Sequence, residues 1–531
     1  MEDDERTKID DTNENNDVTE IEEQGGDDIP SDENKESKGL IAQKKDMEKE
    51  KKEKEERNKD ALYEHEIPEV PMTRTKLKII ATAIFLIALV ILIPTVFLND
   101  SIAPPSENAT LIRDFYIMGD GNPSNLIVMD NTLYFTVDHR NYGVELWETN
   151  GTEAETALVK DINLNDPSAS PQRLFVYNDE LYFSADDGVH GRELWKSDGS
   201  ESGTVLLKDI NSGTSSSNPE EFTIFDNILY FTAQNSTLGR ELWRTDGTEI
   251  GTYLVQDISS GSSGSNPSSL TVMGENIYFS ARNSTVGTEL WMTDGIDVEL
   301  IKDIQEGIYD STPANLIALG DTLIFAAFNL SYGMELWKSD GTTEGTVIIS
   351  DINSGSSSSN PEEFFKYSDW ILFQAEDGTS GVELWMTDGN DTGTSLVKDI
   401  NPGSKSSYPM NYIEYKNQVY FSARQEESGI ELWKTDGSEE NTVLVKDINP
   451  GAEDSNPNYL VFFKNKIYFS AEEPTYNREL WMSDGTTEGT TISADINSQK
   501  RSSNPKYLTV FGDNLVFQAE IYDNGTELFI L

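Results

Sequence analysis

The chain has 531 residues, no cysteine, and 95 acidic against 40 basic side chains, for a formal net charge of −55. Such acidity disfavours nucleic-acid binding, which depends on Lys and Arg neutralising phosphate, and it indicates adaptation to a saline medium or attraction of cations. The absence of cysteine excludes thiol catalysis, cysteine zinc sites and disulfides, and three scattered histidines argue against a His-based metal site.

The first 75 residues are polar and highly charged, with almost no aromatic residues. Low hydrophobicity and high charge leave too little apolar surface to offset the entropy of ordering the chain. We therefore predict a disordered cytoplasmic tail over residues 1–75. Within it, residues 44–59 mix Glu and Lys, which favours a transient helix; a docking segment for a cytosolic partner is the alternative.

An uncharged segment of 20 residues runs from Ile79 to Leu98. As a helix it matches the membrane hydrocarbon core, about 30 Å thick. Basic residues precede the segment and acidic residues follow it: Arg74, Lys76 and Lys78, then Asp100 and Glu107. This asymmetry places the N-terminus in the cytoplasm. We predict a single-pass cell-membrane protein with a signal-anchor helix over residues 76–98 and an extracellular C-terminal part.

Residues 99–110 form a short polar stalk, which spans at most about 40 Å when extended. Every residue after it belongs to the predicted extracellular part. Asn-x-Ser/Thr sequons occur only in the region after the membrane segment, which is compatible with a glycoprotein of this orientation. They include the sequons that begin at Asn108, Asn150, Asn235, Asn283, Asn329, Asn390 and Asn524.

A repeat with the core ELW occupies the remainder of the chain. Its Trp recurs at intervals of 48 residues, with one interval of 46. The copies are Trp147, Trp195, Trp243, Trp291, Trp337, Trp385, Trp433 and Trp481, and Phe529 stands in the Trp place of a ninth. Self-similarity at a fixed period of this length indicates a repeat architecture.

Each repeat contains four strand-like runs, which we name a, b, c and d. In residues 218–258 these runs are short, rich in aromatic and β-branched residues, and separated by Asn, Gly, Asp and Pro. The Leu and Trp of ELW point to opposite faces of strand c, so both faces of the sheet need covering. Radial stacking of such sheets covers both faces, and this arrangement is a β-propeller.

The ends of the repeat region predict how the ring closes. The chain enters with a d strand over residues 111–115 and leaves with a, b and c strands over residues 507–531. Eight complete sets lie between them, and the two fragments together make one more. We predict an all-β fold, a single propeller over residues 111–531 with nine four-stranded blades; eight blades with one irregular repeat is the alternative.

Two repeated glycine positions have backbone interpretations. Asp-Gly follows ELW in most copies, as in Asp246-Gly247, and suits a tight turn between strands c and d. A second Gly lies four residues before each Trp, as in Gly239, and Asn477 replaces it in the eighth copy. Asn is the next-best residue for a left-handed conformation, so this position also reflects a backbone requirement.

An aspartate follows strand d in every copy, and a Pro follows nine or ten residues later. An Asp carboxylate that accepts loop N–H groups would lock the Ser-rich loop between them. The alternative is a Ca²⁺ ion held by Asp and loop carbonyls. The first copy is Asp114, and the candidate Ca²⁺ ligands are Asp161, Asp209, Asp257, Asp303, Asp351, Asp399, Asp447 and Asp495.

The Glu of ELW is present in all nine copies, from Glu145 to Glu527. Strand d carries Lys or Arg before its Asp in six of them, which predicts a cross-strand Glu–Lys pair. A ring of carboxylates around the channel, gathering cations, is the alternative.

A specific site needs residues that are not repeated, and the b–c loops vary most. Examples are DHRNYG, DDGVHG, RQEESG and EEPTYN at residues 138–143, 186–191, 424–429 and 472–477. These loops share a rim of the predicted ring with the d–a loops, opposite the stalk. The sequence contains no nucleophile motif, phosphate-binding loop or paired histidines, so it names no catalytic residue.

The unit ELWxxDGTxxGTxLVKDI…SSNPxxL…LYFSA resembles the ELWxxDGT repeat family of secreted and surface proteins, some of them hyalin-like. The resemblance covers residues 111–531 and implies a β-propeller with a surface location and an interaction role. We predict a non-enzymatic recognition, adhesion or scaffold module that binds protein or glycan ligands through its loops. A carbohydrate-active enzyme using unrepeated loop carboxylates and a structural envelope component are the alternatives.

Overall fold

The structure is a computed structural model that describes residues 107–117, 119–164, 168–498 and 501–531. The predicted cytoplasmic tail, the segment from Ile79 to Leu98 and most of the predicted stalk lie outside these ranges. No helix within the described ranges is long and apolar enough to cross a membrane. The last stalk residues pack on the propeller, because Glu107 accepts a hydrogen bond from Ser493 Oγ at 2.6 Å.

The described chain forms nine four-stranded antiparallel sheets, as predicted, and each is one blade. Blade 1 contains β2 (Ser124–Met129), β3 (Thr132–His139), β4 (Gly143–Thr149) and β5 (Ala157–Lys160). Blade 2 contains β6 (Gln172–Tyr177), β7 (Glu180–Asp186), β8 (Arg192–Ser197) and β9 (Val205–Lys208). Blade 3 contains β10 (Glu220–Phe225), β11 (Ile228–Asn235), β12 (Gly239–Thr245) and β13 (Tyr253–Gln256).

The middle blades repeat this a-b-c-d order. Blade 4 contains β14 (Ser268–Met273), β15 (Asn276–Asn283), β16 (Gly287–Thr293) and β17 (Val298–Lys302). Blade 5 contains β18 (Ala314–Leu319), β19 (Thr322–Asn329), β20 (Gly333–Ser339) and β21 (Val347–Ser350). Blade 6 contains β22 (Glu362–Tyr367), β23 (Trp370–Glu376), β24 (Val382–Thr387) and β25 (Ser395–Lys398).

The last blades include the one that joins the two ends of the repeat region. Blade 7 contains β26 (Met410–Tyr415), β27 (Gln418–Gln425), β28 (Gly429–Thr435) and β29 (Val443–Lys446). Blade 8 contains β30 (Asn458–Phe463), β31 (Lys466–Glu473), β32 (Asn477–Ser483) and β33 (Thr491–Ala494). Blade 9 contains β34 (Lys506–Phe511), β35 (Asn514–Ile521), β36 (Gly525–Ile530) and β1 (Thr110–Arg113).

Neighbouring blades are held together by the Leu and the Trp of ELW. Leu194 of blade 2 packs in one cluster with Trp243 and Phe231 of blade 3, and the same arrangement recurs at the other junctions. A buried aromatic side chain of this size removes about 200 Å² from water. The two faces of strand c therefore pack against the blades on either side, as its alternating pattern predicted.

Blade 9 closes the ring. Thr110 and Leu111 of β1 pair with Ile530 and Phe529 of β36. Leu528 of this blade lies in one cluster with Trp147 of blade 1, so the last junction is built like the others. The two termini of the repeat region therefore complete one blade, and the nine-blade prediction is confirmed rather than the eight-blade alternative.

Strand a is the innermost strand, because it packs beside the a strands of the two adjacent blades all round the ring. It also carries a β-bulge that the sequence did not predict. In blade 3 the register shifts between Glu220 and Thr223, and Glu221 takes a left-handed φ of 60°. Equivalent residues in the other blades share this conformation, whatever their side chain.

The loops divide into two rims. We call the rim with the b–c turns and d–a loops the upper rim, and the rim with the a–b turns and c–d loops the lower rim. The c–d connection is longer than the predicted tight turn, because seven residues separate Thr245 from Tyr253 in blade 3. The Gly after the Asp does have the predicted positive φ, which is 90° at Gly247. The loop is ordered by Asp246, whose Oδ1 accepts the N–H of Thr248 at 2.9 Å.

Candidate recognition surface

Each d–a loop of the upper rim folds around a buried carboxylate. Glu193, the Glu of ELW in blade 2, has no exposed surface. It accepts the N–H groups of Ile210 at 2.8 Å and Ser217 at 2.9 Å, and the Ser217 hydroxyl at 2.6 Å. The same buried position belongs to Glu145, Glu193, Glu241, Glu289, Glu335, Glu383, Glu431, Glu479 and Glu527.

Burial raises the pKa of these glutamates, although the hydrogen bonds that they accept act in the opposite direction. The pKa of Glu193 is raised to about 7, and that of Glu431 to about 8. In every hydrogen bond described for Glu193, a loop N–H or hydroxyl donates and a Glu193 oxygen accepts. Burial therefore outweighs the hydrogen bonds, and Glu193 keeps its proton to a higher pH than a glutamate in water.

The predicted Glu–Lys pair is wrong. The lysine of strand d reaches the c–d loop of the next blade, as Lys302 Nζ donates to the Thr346 carbonyl at 2.7 Å. Lys302 is opposite Leu290 in the register, and Glu289 points to the d–a loop on the upper rim. The glutamates also do not form an exposed carboxylate ring, because each one is buried inside its own blade.

In six repeats the aspartate after strand d locks the start of the d–a loop. Asp303 Oδ2 accepts the N–H of Gly307 at 3.0 Å, which confirms the predicted role. The same bond to a Gly four residues on is made by Asp209, Asp257, Asp351, Asp399 and Asp447. Among the described residues, no group of three or more His, Cys, Asp or Glu side chains could hold a metal. The Ca²⁺ site stays a prediction.

The b–c turn is pinned to the d–a loop that enters the same blade. In blade 3, Asn235 Nδ2 donates to the Ile210 carbonyl at 2.8 Å. Asn211 Oδ1 in turn accepts the N–H of Ser236 at 2.9 Å. Asn283 and Asn329 make the bond of Asn235 in the next two blades. Three predicted sequons therefore start at asparagines whose amides hold the upper rim together.

Two variable positions recur at the junctions of the upper rim, and their side chains contact each other at two of these junctions. One lies six residues after the loop Asp, and the other is 21 residues further on, in the b–c turn. Lys405 and Glu426 form an ion pair at these positions, and the Arg501 guanidinium lies 3.6 Å from the centre of the Tyr522 ring. We call such residues an upper-rim pair. Other pairs are Ser215 and Ser236, Ser263 and Ser284, and Tyr309 and Leu330.

Clefts open at equivalent places beside these pairs. One is lined by residues that include Ser263, Arg282 and Ser284, and another by Arg501, Glu520 and Tyr522, among others. The backbone framework is the same in both, so the side chains alone decide the chemistry of each cleft. The ring therefore presents a series of similar sites with different surfaces.

Exposed apolar side chains of the described loops concentrate on the upper rim. Those on the lower rim are Ile250 and Ile296. The upper rim carries Ile117, Leu164, Val189, Ile308, Tyr309, Leu330, Tyr332, Tyr408 and Tyr522. Large exposed apolar residues on a rigid loop scaffold are typical of binding surfaces.

The sequence predicted this rim and its variable b–c loops, and the structure places both there. It did not predict the upper-rim pairs or the buried Glu cradle. A signal for the cradle is present, because Ser recurs 24 residues after the Glu in six repeats, as in Glu193 and Ser217. A spacing of 24 residues does not by itself predict a contact, because the contact forms only when strand d and its loop fold back over strand c.

Comparisons with known proteins add no family. No protein-family model matches the chain, and no curated protein matches it. Solved structures with similar folds include the computationally designed Ika8 protein, at 14% identity and a TM-score of 0.37, over 68% of this chain and 96% of that one.

Two peptidase-related structures are also similar. Puromycin hydrolase has 11% identity and a TM-score of 0.35, over 70% of this chain and 63% of that one. The acylaminoacyl peptidase of Pyrococcus horikoshii has 12% identity and a TM-score of 0.33, over 75% of this chain and 57% of that one. The chain thus spans about three-fifths of each of these two proteins, and similarities this weak carry no argument about function.

Proposed function

We propose that the protein is a membrane-anchored recognition module that binds protein or glycan ligands through the upper rim of its propeller. The observation that carries this proposal is that the exposed, unrepeated apolar side chains of the described loops lie mostly on the upper rim. The cradle around each buried Glu holds their backbone in place, so binding would not have to order the loops.

The entry point of the chain supports an outward orientation. Glu107 contacts Ser493 and Tyr468 next to β1, and β1 begins at the lower rim. A helix from Ile79 to Leu98, if it anchors the protein, would hold the lower rim towards the membrane and leave the upper rim facing away. The resemblance to ELWxxDGT surface proteins agrees with this placement.

Binding by the full chain tests the proposal. We expect wild type to bind members of a glycan array or a displayed-peptide library. Serine substitutions at Leu164, Val189, Tyr309 and Tyr522 should weaken that binding, and Ile250→Ser with Ile296→Ser on the lower rim should not. Equal loss from both sets would contradict the proposal, and turnover of a surface polysaccharide would support the enzyme alternative.

The anchor has its own test. The full chain should sediment with membranes and resist extraction by high salt, and a variant lacking residues 79–98 should be released as a soluble protein. Protease added outside intact cells should reach the propeller and spare the N-terminal tail. Release of the full chain by salt alone would count against the anchor.

A further inference from the structure

The d–a loop at the junction between blades 4 and 5 departs from the repeat by carrying large apolar residues. It reads DIQEGIYDSTP over residues 303–313, where residues 351–361 read DINSGSSSSNP. Ile308 and Tyr309 therefore stand where the loops over residues 209–219, 257–267 and 351–361 have Ser or Thr. Tyr309 and Leu330 occupy the two upper-rim pair positions of this junction. Together with Ile308 they are 66–72% exposed, and we call these three side chains the fourth-junction patch.

The backbone under the patch is fixed on both sides. Gln305 replaces the usual Asn of the loop, and its Oε1 accepts the N–H of Leu330 at 2.7 Å. Asn329 Nδ2 donates to the Ile304 carbonyl at 2.9 Å, and Asp310 Oδ1 accepts the N–H of Thr288 at 2.7 Å. The apolar side chains are thus presented in advance, which lowers the entropic cost of binding.

We infer that the fourth-junction patch docks a protein segment that inserts an aromatic or large aliphatic side chain flanked by basic residues. The inference rests on the proposed function, because it names the partner class for one sector of the upper rim. A Tyr beside Ile and Leu has the composition of an interface core. Exposed Glu306 flanks it and favours a cationic partner. The carboxylate of half-buried Asp310 lies 3.9 Å from the Arg282 guanidinium, so Glu306 is the carboxylate available to such a partner.

The surroundings of the patch decide between possible occupants. A second copy of this chain would bring another −55 charges and be repelled, and an anionic lipid surface would be repelled for the same reason. A glycan needs several hydrogen-bonding groups at its main contact, and of the three patch side chains only Tyr309 carries one. The cleft beside Ile308 does contain Asn283 and Ser284, which suit the polar rim around an apolar protein contact.

The test uses the purified full chain and a displayed library of random short linear peptides. We expect the enriched peptides to share an aromatic or large aliphatic residue with Lys or Arg on either side. A synthetic representative should bind the Ile308→Ser/Tyr309→Ser/Leu330→Ser variant roughly thirtyfold more weakly than wild type, as loss of a hot spot predicts. Binding to wild type should also weaken as salt is raised.

The repeat itself supplies the controls. Other repeats have serine at the equivalent positions: Ser215, Ser263 and Ser357 correspond to Tyr309, and Ser236 and Ser284 correspond to Leu330. The variant should therefore keep the wild-type unfolding temperature. Tyr522→Ser, at the position of Leu330 in the junction between blades 8 and 9, should bind the peptide like wild type.

Each other outcome has a defined meaning. Enriched peptides without basic residues, or binding that the triple variant retains, would overturn the inference. If Tyr522→Ser abolishes binding and the triple variant does not, recognition by the upper rim stands and this sector is not the site. If an arrayed glycan binds wild type and the triple variant loses that binding, the ligand of the patch is a glycan and not a peptide. Binding of neither peptide nor glycan at the upper rim would remove the proposed function as well.

Discussion

The buried Glu of ELW is the residue on which each upper-rim loop depends. Glu193 joins strand c to the two ends of a loop that starts 17 residues later, through Ile210 and Ser217. The sequence showed that this Glu is present in every repeat and suggested Lys as its partner. The Lys prediction was wrong because the two-residue period of a strand assigns a side chain to one face of the sheet. It does not show which loop will cover the carboxyl group at the end of that side chain.

Replacing this carboxylate should destabilise the propeller. In Glu193→Gln the side-chain NH₂ would face N–H donors, and we expect a loss of about 1–3 kcal/mol from unsatisfied buried groups. Ser217→Ala is the matched control, since blade 1 has Ala169 at this place, and it should cost about 1 kcal/mol or less. Thermal unfolding of both variants measures the difference; equal stability of Glu193→Gln and wild type would contradict the cradle's role.

Stability should fall as pH rises through neutrality. The pKa of Glu193 is about 7 in the folded protein, against an ordinary value of 4.5. Between these values the folded state keeps a proton that the unfolded chain has released, so raising the pH favours unfolding. Each unit of difference corresponds to about 1.4 kcal/mol. The unfolding temperature, measured at constant ionic strength, should drop from pH 5 to pH 8.

The slope of that pH dependence identifies the groups responsible. Glu193→Gln removes one of the titrating carboxylates, so its unfolding temperature should vary less with pH even though the variant is less stable. The exposed Asp198, whose pKa the Ser200 hydroxyl lowers, should lose its contribution only when the pH falls into the acid range. An unfolding temperature that rises from pH 5 to pH 8 would show that the glutamates are ionised throughout.

At the scale of elements, the b–c turn depends on a residue without a side chain. Gly239 has a φ of 77°, and a Cβ there would overlap the backbone nitrogen of Gly264 in the adjacent d–a loop. Gly239→Ala should therefore separate turn from loop and lower the unfolding temperature strongly. Gly213→Ala is the control: its φ is 102° with open space around it, so only backbone strain of about 1–2 kcal/mol is expected. Similar losses from both would point to strain alone.

The sequence predicted all four strands of each blade because their hydrophobic runs and Gly or Asn boundaries recur. It did not predict the bulge in strand a, where Glu221 and its equivalents have a left-handed φ. Glu, Arg173 and Tyr459 all occupy this position, and none of these residue types signals such a conformation. The bulge is imposed by the pairing of strand a with strand b, so it depends on contacts that no local pattern records.

At the scale of the whole molecule, the two fragments at the ends of the repeat region predicted the closure. Deleting residues 523–531 removes the partner of β1, and we expect an open, protease-sensitive and aggregation-prone product. Deleting residues 219–266 removes a complete period and leaves β1 able to pair with β36, so it should be tolerated better. Size-exclusion chromatography and limited proteolysis compare the two; a compact, protease-resistant 523–531 deletion would show that closure is dispensable.

The pairing of first strand with last also sets a time at which folding can finish. Thr110 and Ile530 lie 420 positions apart and contact each other, so a chain still emerging from the ribosome is an arc with two bare blade faces. Blades can form one by one, yet the joint between blades 8, 9 and 1 awaits the final residues. A premature stop codon in the last repeat therefore yields a nearly full-length product whose ring cannot close. Surveillance proteases would recognise it by the exposed apolar faces of its first and last blades.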